Sequence, residues 1–182
     1  MSRMTHQAII LLTGIQAAGK STIAQLLAER LDRSVHVRGD SFRRMIVNGR
    51  ADMTPDPPDE AWRQLRLRYR LTAMTCEEYF REGFTVVAQD VILGEPLGEM
   101  VRMIKQRPLF VVVLAPRPEA VLARETGRSK ADTYDRWTIE SLDRGLREDT
   151  PRIGLWLDTS DQTPEQTVTE ILSRVWTEAA VD

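Results

Sequence analysis

Residues 8–22 read AIILLTGIQAAGKST: an apolar run, then Gly14, four intervening residues, then Gly19-Lys20-Ser21-Thr22 opening an amphipathic stretch. This is the spacing of a phosphate-binding loop in the context the loop requires, between a buried strand and a helix. Gly14 and Gly19 permit the tight turn that brings backbone N–H groups against phosphate oxygens. The peptide groups of Ala17, Ala18, Gly19, Lys20, Ser21 and Thr22 are the expected donors, aided by the helix dipole. Lys20 supplies a flexible point cation for the terminal phosphates, and the Ser21 hydroxyl suits Mg²⁺. The stretch predicts a nucleoside-triphosphate site and, with it, the fold class.

Outward from the loop, five apolar runs read as buried strands: residues 8–13, 35–38, 85–88, 109–115 and 154–157. Helical patterns separate them over 21–31, 59–82, 97–105, 118–125, 137–147 and 164–179, the second being one helix or two. Pro118 and Pro164 each suit a first helical turn. Such alternation specifies an α/β fold, a parallel sheet covered by helices on both faces. Ligands of these folds lie at the carboxyl ends of the strands. That rule gathers Gly14, Asp40, Asp90 and the 158–160 segment around one crevice.

The 182 residues fit a single domain, 1–182, and 25 basic against 27 acidic residues leave a formal charge of −2. That balance argues against broad electrostatic binding of nucleic acid. One cysteine, Cys76, permits no internal disulfide and reads as an inert buried residue, which predicts a cytoplasmic setting. No segment approaches the roughly 20 apolar residues of a membrane span. The helical stripe Val168, Ile171, Leu172 and Val175 is expected to pack within the chain, leaving monomer or homodimer open.

Two carboxylates carry the expected chemistry. Asp40, ending the second strand, can accept a proton from an acceptor hydroxyl and aim its oxygen at the γ-phosphorus. The same position also suits a cap for the helix that begins at Ser41. Asp90 follows FTVVAQ, the form of a Walker-B strand, and can hold Mg²⁺ through water, contact the acceptor, or satisfy a nearby loop. Arg43, three residues after Asp40, is the better placed of the Arg43–Arg44 pair for substrate contact, with a solvated arginine as the alternative. The segment 117–135 has the character of a phosphate lid, with Arg124, Arg128 and Lys130 near Gly127. Ser129-Lys130-Ala131-Asp132 only half-matches a guanine-reading motif, so ATP is the expected nucleotide, its base framed by the loop containing Thr159 and Ser160.

Together, GIQAAGKST, RGDSF, VVAQDVILGE, RPEAVLARETGR and LDTS resemble the chloramphenicol phosphotransferase-like family of small P-loop kinases, related to zeta-toxin and polynucleotide-kinase types. The resemblance spans roughly residues 8–160. It implies a five-stranded sheet of order 2-3-1-4-5 and ATP- and Mg²⁺-dependent phosphorylation of a small-molecule hydroxyl. It places Asp40 near the acceptor, Lys20 and Ser21 in the nucleotide loop, and Arg124 and Arg128 in the lid. Several related kinases carry Asp-x-Asp at the end of the second strand; here the first position is Arg38, which shifts the Mg²⁺ task toward Asp90. Residues 41–83 form the expected acceptor-binding helical insertion, with Trp62 and Arg66 as substrate residues and Met45, Met53, Tyr69 and Arg70 nearby. Met, Trp and Tyr at helical spacing are more often core.

The leading reading is therefore an ATP-dependent kinase of a hydroxylated small molecule, an antibiotic or a metabolite. A kinase of polynucleotide 5′-hydroxyls or nucleotide sugars is the second reading, and a nucleotide-dependent regulatory ATPase the third.

Overall fold

The computed structural model describes residues 7–126 and 138–182. β1 (Ile9–Gly14), β2 (Ser34–Arg38), β3 (Thr85–Gln89), β4 (Leu109–Leu114) and β5 (Leu155–Leu157) form a parallel sheet of order β2-β3-β1-β4-β5. β1 and β4 are buried at every position, because helices cover both faces and no alternation of apolar and polar residues is needed. Among the described residues there is one strand more than the sequence announces. β6 (Ala180–Val181) runs antiparallel to β4, beside Leu109 and Phe110. β1 occupies one edge of β4, so β5 and β6 share the other. Two residues are too few for an alternating pattern to register.

α1 (Lys20–Glu29) packs with α7 (Pro164–Glu178) over one face, while α3 (Asp59–Arg81) and α4 (Pro96–Met103) pack together on the other. α7 begins with a reciprocal capping box: Thr163 accepts from the Gln166 N–H, and the Gln166 side chain accepts from the Thr163 N–H. α3 is one continuous helix of 23 residues, about 35 Å long at 1.5 Å per residue. The remaining helices are α2 (Asp40–Arg44), α5 (Pro118–Glu125) and α6 (Ile139–Arg144). α6 starts later than the pattern over 137–147 suggests and passes into a π-helical turn, Gly145–Asp149. Thr150 pins that turn by donating to the Gly145 carbonyl and accepting from the Gly94 N–H. Cys76 is wholly buried, and burial pushes its thiol up to about 12, so it stays protonated and inert. No helix among the described residues is long and apolar enough to cross a membrane.

Candidate active site

The strand order brings the carboxyl ends of β1, β2 and β3 side by side. The phosphate loop leaves β1 at Gly14, and Gly19 caps α1 with φ at +90°, a conformation that side chains rarely adopt. Lys20 is buried, and its Nζ donates to the Ile15 carbonyl at 2.7 Å, which holds the ammonium over its own loop. Thr13 ties the loop to the segment after β3, donating to the Ile92 carbonyl and accepting from the Ile92 N–H. Ser21 is exposed and its Oγ accepts from Gln89 Nε2 at 3.1 Å. An exposed hydroxyl at the start of α1 fits an Mg²⁺ ligand.

Asp90 is arranged differently. Its side chain is 2% exposed, and Arg68 Nε donates to its Oδ2 at 2.6 Å while Arg68 Nη2 donates to its Oδ1. The Val91 N–H adds a bond to Oδ1 at 2.8 Å. Both oxygens are engaged by a bidentate guanidinium and a peptide. The expectation that Asp90 holds Mg²⁺ through water, or touches the acceptor, meets a buried carboxylate whose two oxygens are already bonded within the protein. Gly39 is shaped by the same group: a Cβ there would stand 2.1 Å from Asp90 Oδ2. Its φ of −59° is ordinary, so space alone demands glycine.

Asp40 is the first residue of α2, following Gly39, so its carboxylate does not act as the cap that its position allowed. Arg43 Nε donates to Oδ1 at 2.8 Å, Arg44 Nε to Oδ2 at 2.6 Å, and Arg68 Nη1 stands 3.7 Å from Oδ1. Partial burial pushes the Asp40 carboxyl up, but hydrogen bonds and charge from Arg43, Arg44 and Arg68 outweigh it and hold it below the usual carboxylate range. Asp40 is thus ionised at neutral pH.

Arg68 is a residue of the candidate site that the sequence reading missed. Its side chain, 8% exposed, bridges Asp90 and Asp40, and it lines both cavities beside α3. The signal was present. Ala61, Arg68, Thr72 and Cys76 fall on one helical stripe, and a charged residue on a buried stripe must have a partner. One cavity, about 340 Å³, has Gln16 of the phosphate loop in its wall, with Trp62, Tyr69 and Leu93 and with Asp149 of the π-helical turn. The other, about 210 Å³, lies between α2, the loop after it and α3. Met53, Leu65 and Arg68 are common to both.

Of the expected substrate residues, Trp62 lines the larger cavity and Arg43 the smaller, while Asp40, Asp90 and Arg66 line neither. Arg66 is exposed and pairs with Glu99 at 3.6 Å, and it lies over the Trp62 ring. Arg124 and the loop after β5 do come together: Arg124 Nη2 donates to the Thr159 carbonyl at 2.7 Å, and the Arg117 N–H donates to Ser160 Oγ at 2.8 Å. In this arrangement Arg124 engages backbone and not open crevice. Arg128, with Gly127 and Lys130, lies outside the described residues. Arg147 is a further cation at the end of β4, donating to the Ala115 and Pro116 carbonyls while paired to Asp143.

Comparison with known proteins agrees with this architecture. A UPF0200 protein of Aeropyrum pernix is 28% identical over 139 residues, 75% of this chain and 73% of that protein. The Deinococcus radiodurans tunicamycin resistance protein superposes with a TM-score of 0.66 at 18% identity, covering 97% of this chain and 100% of that one. The Mycobacterium tuberculosis APS kinase CysC, in complex with AMPPNP and APS, superposes with a TM-score of 0.66 at 14% identity, covering 92% and 96%. At these identities the structural likeness establishes the fold alone. The family model for an AAA domain matches residues 9–152, from the first strand through the π-helical turn. The chain belongs to that AAA domain family, AAA_33, with a P-loop nucleotide site at the carboxyl end of its central strand.

Proposed function

We propose that this chain is an ATP-dependent phosphotransferase that moves the γ-phosphate to a hydroxyl of a small-molecule acceptor. The observation that carries the reading is the larger cavity: an open, mostly apolar cleft of about 340 Å³ with Gln16 of the phosphate loop in its wall. Slow hydrolysis by a switch protein needs no acceptor-sized chamber beside the triphosphate. The resemblance to chloramphenicol phosphotransferase-like kinases supports the same reading, as does the fold shared with an APS kinase that binds AMPPNP.

Gly14 through Thr22 would cradle the triphosphate, with Lys20 leaving the Ile15 carbonyl for the terminal phosphates. Mg²⁺, held by the Ser21 hydroxyl and phosphate oxygens, would neutralise charge on the β- and γ-phosphates. In the transfer the acceptor oxygen bonds to the γ-phosphorus and the bond from that phosphorus to the β,γ-bridging oxygen breaks. ADP leaves with the electron pair, and the hydroxyl proton passes to the Asp40 carboxylate. For this, the acceptor hydroxyl passes the Arg68 side chain in the cavity wall to reach Asp40, which lies behind it and lines neither cavity, and one Asp40 oxygen exchanges an arginine for the acceptor. Arg44, 66% exposed, is the partner with room to leave.

Two variants test the assignment. Lys20→Ala should abolish measurable ATP binding by calorimetry and transfer of labelled phosphate to a panel of hydroxylated metabolites. Asp40→Asn should keep ATP binding and lose transfer by roughly a hundredfold or more, the usual worth of positioned proton transfer. Full transfer by Asp40→Asn, or labelling of a 5′-hydroxyl oligonucleotide in preference to every small molecule, would overturn the proposal.

A further inference from the structure

The two cavities share a wall, and the charged and amide side chains of the smaller one are already paired within the protein. In the smaller one, Arg43 is paired with Asp40 and with Asp52 at 2.8 Å, and Arg68 with Asp90. Gln64 accepts from the Ala51 N–H and donates to the Gly49 carbonyl, both at 2.8 Å. What remains facing the space is aliphatic and aromatic. Its mouth is apolar too: Met45 is 68% exposed and Leu67 is exposed, both lining it. Exposed apolar side chains gathered at a pocket mouth mark a binding surface.

Charge narrows the class of ligand. Arg68 is the one cation among the described residues lining the larger cavity, and two carboxylates neutralise it. Asp149, also in that wall, has no ion-pair partner among the described residues. Among the described residues an anionic acceptor would find no spare cation in this wall, only a carboxylate. Size points the same way, since small-molecule sites run to about 300–1,000 Å³. The larger cavity barely reaches that range and the smaller falls below it.

We infer that the smaller cavity is a second acceptor subsite: the acceptor is an elongated amphipathic alcohol, neutral or cationic. Its hydroxyl end lies in the larger cavity, and an uncharged aliphatic or aryl arm passes Met53 and Leu65 into the smaller one. This rests on the kinase reading for which side of the phosphate loop receives the acceptor. Met53, Leu65 and Arg68 form the divide, and the two apolar side chains set the length and branching of the arm that is admitted.

Calorimetric titration of the full chain tests this, with the phosphate loop filled by a non-hydrolysable ATP analogue and Mg²⁺. The probes are 1-alkanols of four to eight carbons and the matched alkyl phosphates. Affinity for the alkanols should rise by about two- to fourfold per methylene, as burial of each CH₂ requires. The alkyl phosphates should bind at least about tenfold more weakly at equal length. Ala51→Phe, which fills the smaller cavity, and Leu67→Glu, which places a charge at its mouth, should each flatten the rise while leaving butanol binding unchanged. Leu67 is exposed on α3, so that variant folds even if the first does not. A rise that is equally steep in a folded variant overturns the inference, as do phosphates that bind as tightly as the alcohols. None of these titrations requires catalysis. A normal alkanol series without phosphoryl transfer to any alcohol therefore refutes the kinase reading and leaves the apolar subsite standing.

Discussion

Removing the Asp90 carboxylate should act first on this protein's stability and not on metal binding. Arg68 and Asp90 are both buried and joined by two parallel bonds, and among the described residues the only other carboxylate paired with the guanidinium is Asp40 at 3.7 Å. Asp90→Ala strands Arg68 beside a sheet end with two donors unpaired. Breaking a buried pair from one side costs about 3–5 kcal/mol. For a chain of this length each kcal/mol lowers the melting temperature by about 2–4 °C, so the expected drop is about 6–20 °C. Arg68→Met strands the carboxylate instead and should cost a similar amount. The double variant Arg68→Met/Asp90→Ala leaves no orphaned charge, so its cost should fall below the sum of the singles by about 2 kcal/mol or more.

Urea unfolding followed by circular dichroism measures all three. Were Asp90 instead a Walker-B carboxylate, Asp90→Ala would keep nearly its full stability and raise the Mg²⁺ concentration needed for ATP binding. A cost under about 1 kcal/mol for Asp90→Ala, or strict additivity of the singles, would refute the anchoring role.

Gly39→Ala should destabilise by about 2 kcal/mol or more through its clash with Asp90, and Asp90→Ala in the same chain should relieve part of that loss, read by the same unfolding curves. His36, whose ring burial and the nearby Arg38 charge lower it to about 4, is held neutral by the fold. The unfolded chain therefore takes up a proton between pH 6.5 and 4, and stability falls as pH drops through that window, by about 1–2 kcal/mol once its partial exposure is allowed for. His36→Leu should remove that increment of slope from the pH dependence of urea unfolding. Arg44→Gln takes a hydrogen bond and a charge from Asp40, so the acid limb of the pH profile of kcat/KM should move to higher pH. An unmoved limb would mean that Asp40 is not the titrating group.

The fold was legible because its decisive signals are local. The loop at 14–22 announces itself by glycine spacing between a strand and a helix, and uninterrupted apolar runs such as Leu109–Leu114 reveal strands buried on both faces. β6 escaped notice because two residues hold no period, and its place depends on how much of β4 is left unpaired by β5. Which residues face each other across α3 is a different kind of information. Arg66 and Arg68 look alike in sequence, two positions apart on one helix. Helical geometry turns them by about 200°, which puts Arg66 against Glu99 at the surface and Arg68 between Asp40 and Asp90.

The carboxylates were recognised as important, but their division of labour was not, because it depends on that rotation. A guanidinium arriving from a helix 22 residues upstream takes the Asp90 oxygens out of reach of solvent. Asp40, at the rim of the same network and 29% exposed, keeps the access that an exchanging proton needs. Burial thus separates two carboxylates of like chemistry into an anchor and a reactive candidate. The apolar stripe of α3 decides which is which, since it fixes the side from which Arg68 enters.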